Sequence, residues 1–249
     1  MRTRRRGCGV TDILRLRAAI TGLIGLAAAE EQTLLATAAA DEAGTAHQWA
    51  AIPLVAHNTD FRRQQVQRLE AVNGGTTPAE FTEVDHESAE LYAALATRPA
   101  SQVARESWAS AGDLVAAAGT LSAADLLDPT RHLWLRGRQL WLQVIVRGFW
   151  HPVGHLAEYY ANHLQPDRAV KLAEHAVTTA QYLAAPDPAR GMAIYNLACA
   201  QAGAGLFDTA AAAVGEAITL NPDIRANAAR DRDLAVLRDS GRLAAVLGA

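Results

Sequence analysis

The stretch Arg147-Gly148-Phe149-Trp150-His151-Pro152-Val153-Gly154-His155-Leu156-Ala157-Glu158-Tyr159-Tyr160 decides how this chain is read. It lies late in a long apolar run that starts near Arg138 and has helical periodicity. Residues four apart on a helix project from the same face, roughly 5–6 Å apart at Cβ. His151 and His155 can therefore reach one ion. Protein metal sites use three or more ligands, so a third must come from another element. His57, in Pro53-Leu54-Val55-Ala56-His57-Asn58-Thr59-Asp60-Phe61, is the best placed.

Pro152 has a physical consequence inside this stretch. It cannot donate to the Gly148 carbonyl, and its ring presses on that residue. Glycine at that position leaves room for a bent rather than a broken helix. The bland reading stands beside this one: an i,i+4 histidine pair on an interior face is also a packed or hydrogen-bonded pair, and His57 on a second apolar helix is what favours a shared ion.

Working outward, a first helix is expected from Thr11 to about Ala40, and a polar break from Asp41 to Trp49. A second helix, Leu54 to Val72, stops at Asn73-Gly74-Gly75. Glu80 to Thr97 holds a shorter helix, Ser101 to Thr120 a third long one, and Asp128 to Gly137 a loop. The fourth long helix then carries the histidine pair to about His163. Four amphipathic helices, two of them bearing histidines, make a bundle of the kind that builds metal sites from facing helices. After Gln165-Pro166-Asp167 the texture changes. Ala169, Leu172, Ala173 and Ala176, then Leu197, Ala198, Gly205, Ala210, Val214, Ala217 and Pro222, match the small-residue pattern of tetratricopeptide repeats. With one full repeat and part of another, these helices are expected to pack on the bundle.

The division is thus a basic N-terminal tail over 1–10, a helical bundle over 11–164 and a repeat-like extension over 165–249, all-α throughout. Half the residues are hydrophobic, enough for a sizeable core, and period-2 strand patterns are missing. A net charge of −3 gives no argument for a nucleic-acid partner. Cys8 and Cys199 do not make a disulfide framework, which fits a reducing cytoplasm. Arg2-Thr3-Arg4-Arg5-Arg6 before Ala18 to Ala29 has the outline of a signal peptide, but Asp12, Arg15 and Arg17 interrupt the apolar run. No stretch reaches the ~20 apolar residues of a membrane span.

His57 after Pro53-Leu54-Val55-Ala56, with the later His151-x-x-x-His155, resembles the DinB-like metalloprotein superfamily. Trp49 to Leu69 resembles its second helix and Arg138 to Tyr160 its fourth, so the likeness covers roughly residues 10–164. The resemblance implies a four-helix bundle holding a divalent ion, usually zinc or nickel, on three histidines. Open coordination positions would take water or a low-molecular-weight thiol such as mycothiol, bacillithiol or glutathione. Some members are thiol-dependent transferases or isomerases; others resemble ClbS-type self-protection proteins that open a strained electrophilic ring.

Three neutral imidazoles leave a divalent ion its full charge and an open position. Bound water is drawn towards neutrality in pKa and a bound thiol is ionised. Both suit attack on an electrophilic small molecule, by thiol transfer or by ring-opening hydrolysis. His57, His151 and His155 are the candidate metal ligands, Glu158 and Tyr159 the candidate catalytic groups, and Arg147 and Asn58 the candidate groups for holding a bound ligand. Arg147 is one turn before His151, and Glu158 is placed to orient the His155 ring. The alternatives are a non-catalytic protein that sequesters a small molecule, with the repeat-like tail docking a protein partner or a second copy, and a helical adaptor whose histidines are core residues. Cys199 reads as a buried structural thiol, and Trp141 or Trp150 as candidates to line a pocket.

Overall fold

The structure, a computed structural model, describes residues 10–38, 44–45, 48–80, 88–163 and 165–248. The basic tail through Gly9, with Cys8, lies outside the described residues, as do His47, His86 and the 81–87 part of the expected Glu80 helix. The protein is all-α. Among the described residues the one pairing outside helices is an isolated bridge between Thr45 and Gln48.

Helix α1 spans Val10–Thr37, α2 Ala51–Asn73, α3 Ala89–Ala96 and α4 Ala100–Thr120. A short α5, Ala123–Leu127, is closed by a reciprocal cap between Ser122 and Asp125. After one turn of 3-10 helix at Leu133–Leu135, inside the expected 128–137 loop, come α6 (Leu140–Ile145), a π-helical turn (Val146–Trp150) and α7 (His151–Asn162). On α1, Leu16, Ile20, Leu23, Ile24, Ala27, Glu31 and Leu34 are buried at three- and four-residue steps, which turns one face to α2, α4 and α7. α2 begins at Ala51, three residues before the expected Leu54. Pro53 causes no break there, because the first turn has no intrahelical partner for its missing N–H.

The core between α1, α2 and α4 is not purely apolar. Glu31 and Arg62 are both fully buried, with Arg62 Nη2 2.5 Å from Glu31 Oε2. Asn58 Nδ2 donates to Glu31 Oε1 at 2.9 Å, Ser107 Oγ to Glu31 Oε2 at 2.6 Å, and Arg62 Nε to Ser110 Oγ at 3.0 Å. Two buried charges are tolerated because their hydrogen-bonding capacity is met.

The later helices are α8 (Pro166–Tyr182), α9 (Asp187–Gly203), α10 (Phe207–Leu220), α11 (Ile224–Ala228), α12 (Ala235–Asp239) and α13 (Arg242–Leu247). Ala169, Ala173, Ala176 and Ala180 put small side chains along the buried face of α8, and Ala189 and Ala193 do so on α9, letting the helices approach closely. A β-carbon at Gly191 would lie 3.0 Å from the Ala217 carbonyl oxygen, so α9 and α10 also touch at close range. One continuous cluster of buried apolar residues runs from α1 to α9, across the 164/165 position where the sequence texture changes.

Candidate metal centre and its cavity

Pro152 sets the local geometry. An α-helix would ask residue 152 for an N–H that proline lacks. The chain instead widens into the π turn, where the His151 N–H reaches the Val146 carbonyl, and Pro152 falls in the first turn of α7. The expected bend is therefore a widened turn. Gly148 has a second role here: a β-carbon would stand 2.6 Å from Ile24 Cγ1 and 2.9 Å from Leu114 Cδ2, so its absence lets the π turn seat against α1 and α4.

That seating brings the three histidines together. His57 Nε2 is 3.0 Å from His151 Nε2. The His155 ring centre lies 4.4 Å from that of His151 and 5.2 Å from that of His57. One ligand atom from each can be chosen so that all three fall within 4.8 Å of one another, the one such group of three or more among the described residues. His57 is 3 % exposed, while His151 and His155 are half-buried, so the cluster has a protein side and an open side. Two nitrogens held by one tetrahedral zinc stand roughly 3.3 Å apart. The residues fit a divalent ion: their donors are of the right type and number and already nearly at that spacing.

Around them, Phe61 stacks on His151 at 4.4 Å with 14° between the rings, and the Arg147 guanidinium covers Phe61 at 4.6 Å. Burial, and then the nearby Arg68 charge, push the Arg147 pKa below its ordinary value. Arg147 is thus next to the centre but outside the residues lining the cavity described below. Glu158 Oε2 lies 3.6 Å from His155 Nδ1, where a carboxylate holds a ligating ring in place. Asn58 is turned to Glu31 in the core. Tyr159 is buried and stacks on His163 at 3.9 Å, away from the histidine cluster's open side. Trp141 is a core residue whose Nε1 donates to Gln139.

The open side of the centre is closed by the C-terminal helices. A cavity of about 760 Å³ lies between α7 and α9, with His151 and His155 in its wall and Tyr195, Cys199, Asp231 and Asp233 opposite. Trp150 lines it as well. Its Nε1 donates to Asn196 Oδ1 at 2.5 Å, and Asn196 Nδ2 returns a bond to the Trp150 carbonyl at 3.2 Å, fastening α9 to the turn that carries the histidines. Tyr195 donates to Asp231 Oδ2 at 2.5 Å. Burial, then Asp231 and Asp233, hold the Cys199 thiol well above its usual range, which keeps it protonated. Asp233 retains solvent access, yet burial in the concave wall, and then Asp231 and Glu158, push its carboxyl up to about 6.

No protein-family model, curated protein or solved structure matches the chain. Sequence reading missed Phe61 as the plate under His151, although it falls one turn after His57, and it missed Asn196, Asp231 and Asp233 altogether.

Proposed function

We propose that this protein is a divalent-metal-dependent enzyme acting on a reactive, electrophilic small molecule, built as a DinB-like four-helix bundle with a tetratricopeptide-like extension. The observation that carries the reading is the convergence of His57, His151 and His155 on the wall of a cavity of about 760 Å³. These three histidines would hold the ion, zinc or nickel. Bound there, it would supply an ionised water or an ionised thiol at neutral pH.

The chain's own residues supply the rest. His57 enters from the protein side and fixes the depth of the site. Glu158 orients the His155 ring, and the Phe61 plate fixes His151. The paired Trp150–Asn196 hydrogen bonds hold the far wall at constant distance, which confines a substrate beside the centre. The space is of the size that ordinarily takes a small molecule.

Elemental analysis of the purified and zinc- or nickel-reconstituted protein tests the metal. Close to one equivalent is expected, and less than about a tenth of an equivalent after reconstitution would overturn the reading. An electrophile screen with and without mycothiol, bacillithiol and glutathione then separates thiol transfer from hydrolysis. Turnover abolished by His151→Ala is the expected result, and stoichiometric protection unaffected by that change would establish sequestration instead.

A further inference from the structure

The wall facing the histidines has a charge pattern that the metal reading leaves unused. Glu158, Asp231 and Asp233 line the cavity, and Arg230 is the one lysine or arginine among its lining residues. Asp231 is committed to the protein: it accepts from the Tyr195 hydroxyl at 2.5 Å and from the Asp233 backbone N–H at 3.0 Å. Arg230 is exposed and donates to Asn227 Oδ1 at 3.2 Å. Arg232 faces an adjoining space rather than this one. Among the described residues, no protein group forms a hydrogen bond or ion pair with the Asp233 carboxylate, although two further carboxylates crowd it. Carboxylates gathered on a concave, partly desolvated wall attract a cation more strongly than the same groups spread on a surface.

We propose that the cavity between α7 and α9 takes a substrate bearing a protonated amine, with Asp233 as the group that receives the ammonium and the C-terminal helices as the specificity-determining wall. This deepens the enzymatic reading given above and rests on it for the chemistry at the histidines. The ammonium binding itself needs only the acidic wall. One molecule would span the space, presenting its reactive carbon or oxygen to the histidine end and its amine to the Asp233 end.

Calorimetric titration of the full chain, with and without reconstituted zinc, tests this with three probes of equal length: pentane-1,5-diamine, pentane-1,5-diol and glutarate. The diamine is expected to bind and the other two to bind at least roughly tenfold more weakly, in both preparations. Asp233→Asn should weaken the diamine roughly fivefold or more. Asp208→Asn, at the exposed ion pair with Arg242, should leave it unchanged. Glutarate binding as tightly as the diamine, no measurable diamine binding, or equal diamine affinity in Asp233→Asn and the parent would overturn the proposal. Failure of the metal reading shows separately, as an absence of bound zinc in a protein that still binds the diamine.

Discussion

His57 Nε2 and His151 Nε2 stand 3.0 Å apart although 94 residues of sequence separate them. Phe61, one helical turn after His57, stacks flat on the His151 ring and fixes the approach from one side. The pairing depends on α2 and α7 being held in register by the rest of the fold.

Removing one member should therefore abolish metal binding without unfolding the chain. His57→Ala is expected to weaken zinc by more than about 100-fold, the upper end of what losing an outer-sphere partner of a ligand costs. The helical circular dichroism should stay near that of the parent. Competition with a chromophoric chelator checks the affinity.

Gly148→Ala is expected to destabilise by about 1–3 kcal/mol, since the new methyl group would strike Ile24 and Leu114 in a packed core. Ile24→Ala alone leaves a hole and also destabilises. The double variant should lose clearly less than the sum of the two, and urea denaturation of the four proteins measures that coupling.

The Glu31–Arg62 pair is buried on both sides. Arg62→Met, which leaves the Glu31 charge in the core without its partner, should cost about 3–5 kcal/mol. Converting both, as Glu31→Leu with Arg62→Met, should recover most of that loss. Equal stability of the single and double variants in guanidinium melts would refute the account.

Asp233 sets a pH dependence whose sign follows from its raised pKa. Between the ordinary carboxyl value of 3.8 and about 6 the folded protein binds more protons at this group than the unfolded chain does. Stability from this group is thus present at low pH and is lost as pH rises through about 6. Asp233→Asn should therefore raise the melting temperature at pH 8 and leave it nearly unchanged below pH 4. Solvent access at Asp233 limits the gain to about 1 kcal/mol.

The centre was legible because its signals are short-range. The four-residue spacing of His151 and His155 holds on any helix, and Pro152 announced a local distortion. Neighbours of those residues were less legible. Asn58 and Tyr159 each sit one position from a useful face, a rotation of roughly 100° on a helix. For Asn58 that turn points the side chain at Glu31, and for Tyr159 at His163. The buried Glu31–Arg62 pair has no local signature, since each residue alone reads as a solvated charge. The acidic wall was out of reach for the same reason: Asp231 and Asp233 lie in a polar turn some eighty residues after His151 and meet it only through the packing of α7 on α9.

The π turn over Val146–Trp150 makes the centre sensitive to chain length in a way that substitution does not probe. It accommodates one residue beyond what regular winding would hold. Excising a single amino acid from that turn would restore uniform winding and swing everything downstream by roughly 100° about the helix axis. Both imidazoles of α7 would then leave His57 together, with no ligand changed. Indel tolerance scanned along α6 and α7 should accordingly drop to nothing between Val146 and Pro152 for metal retention.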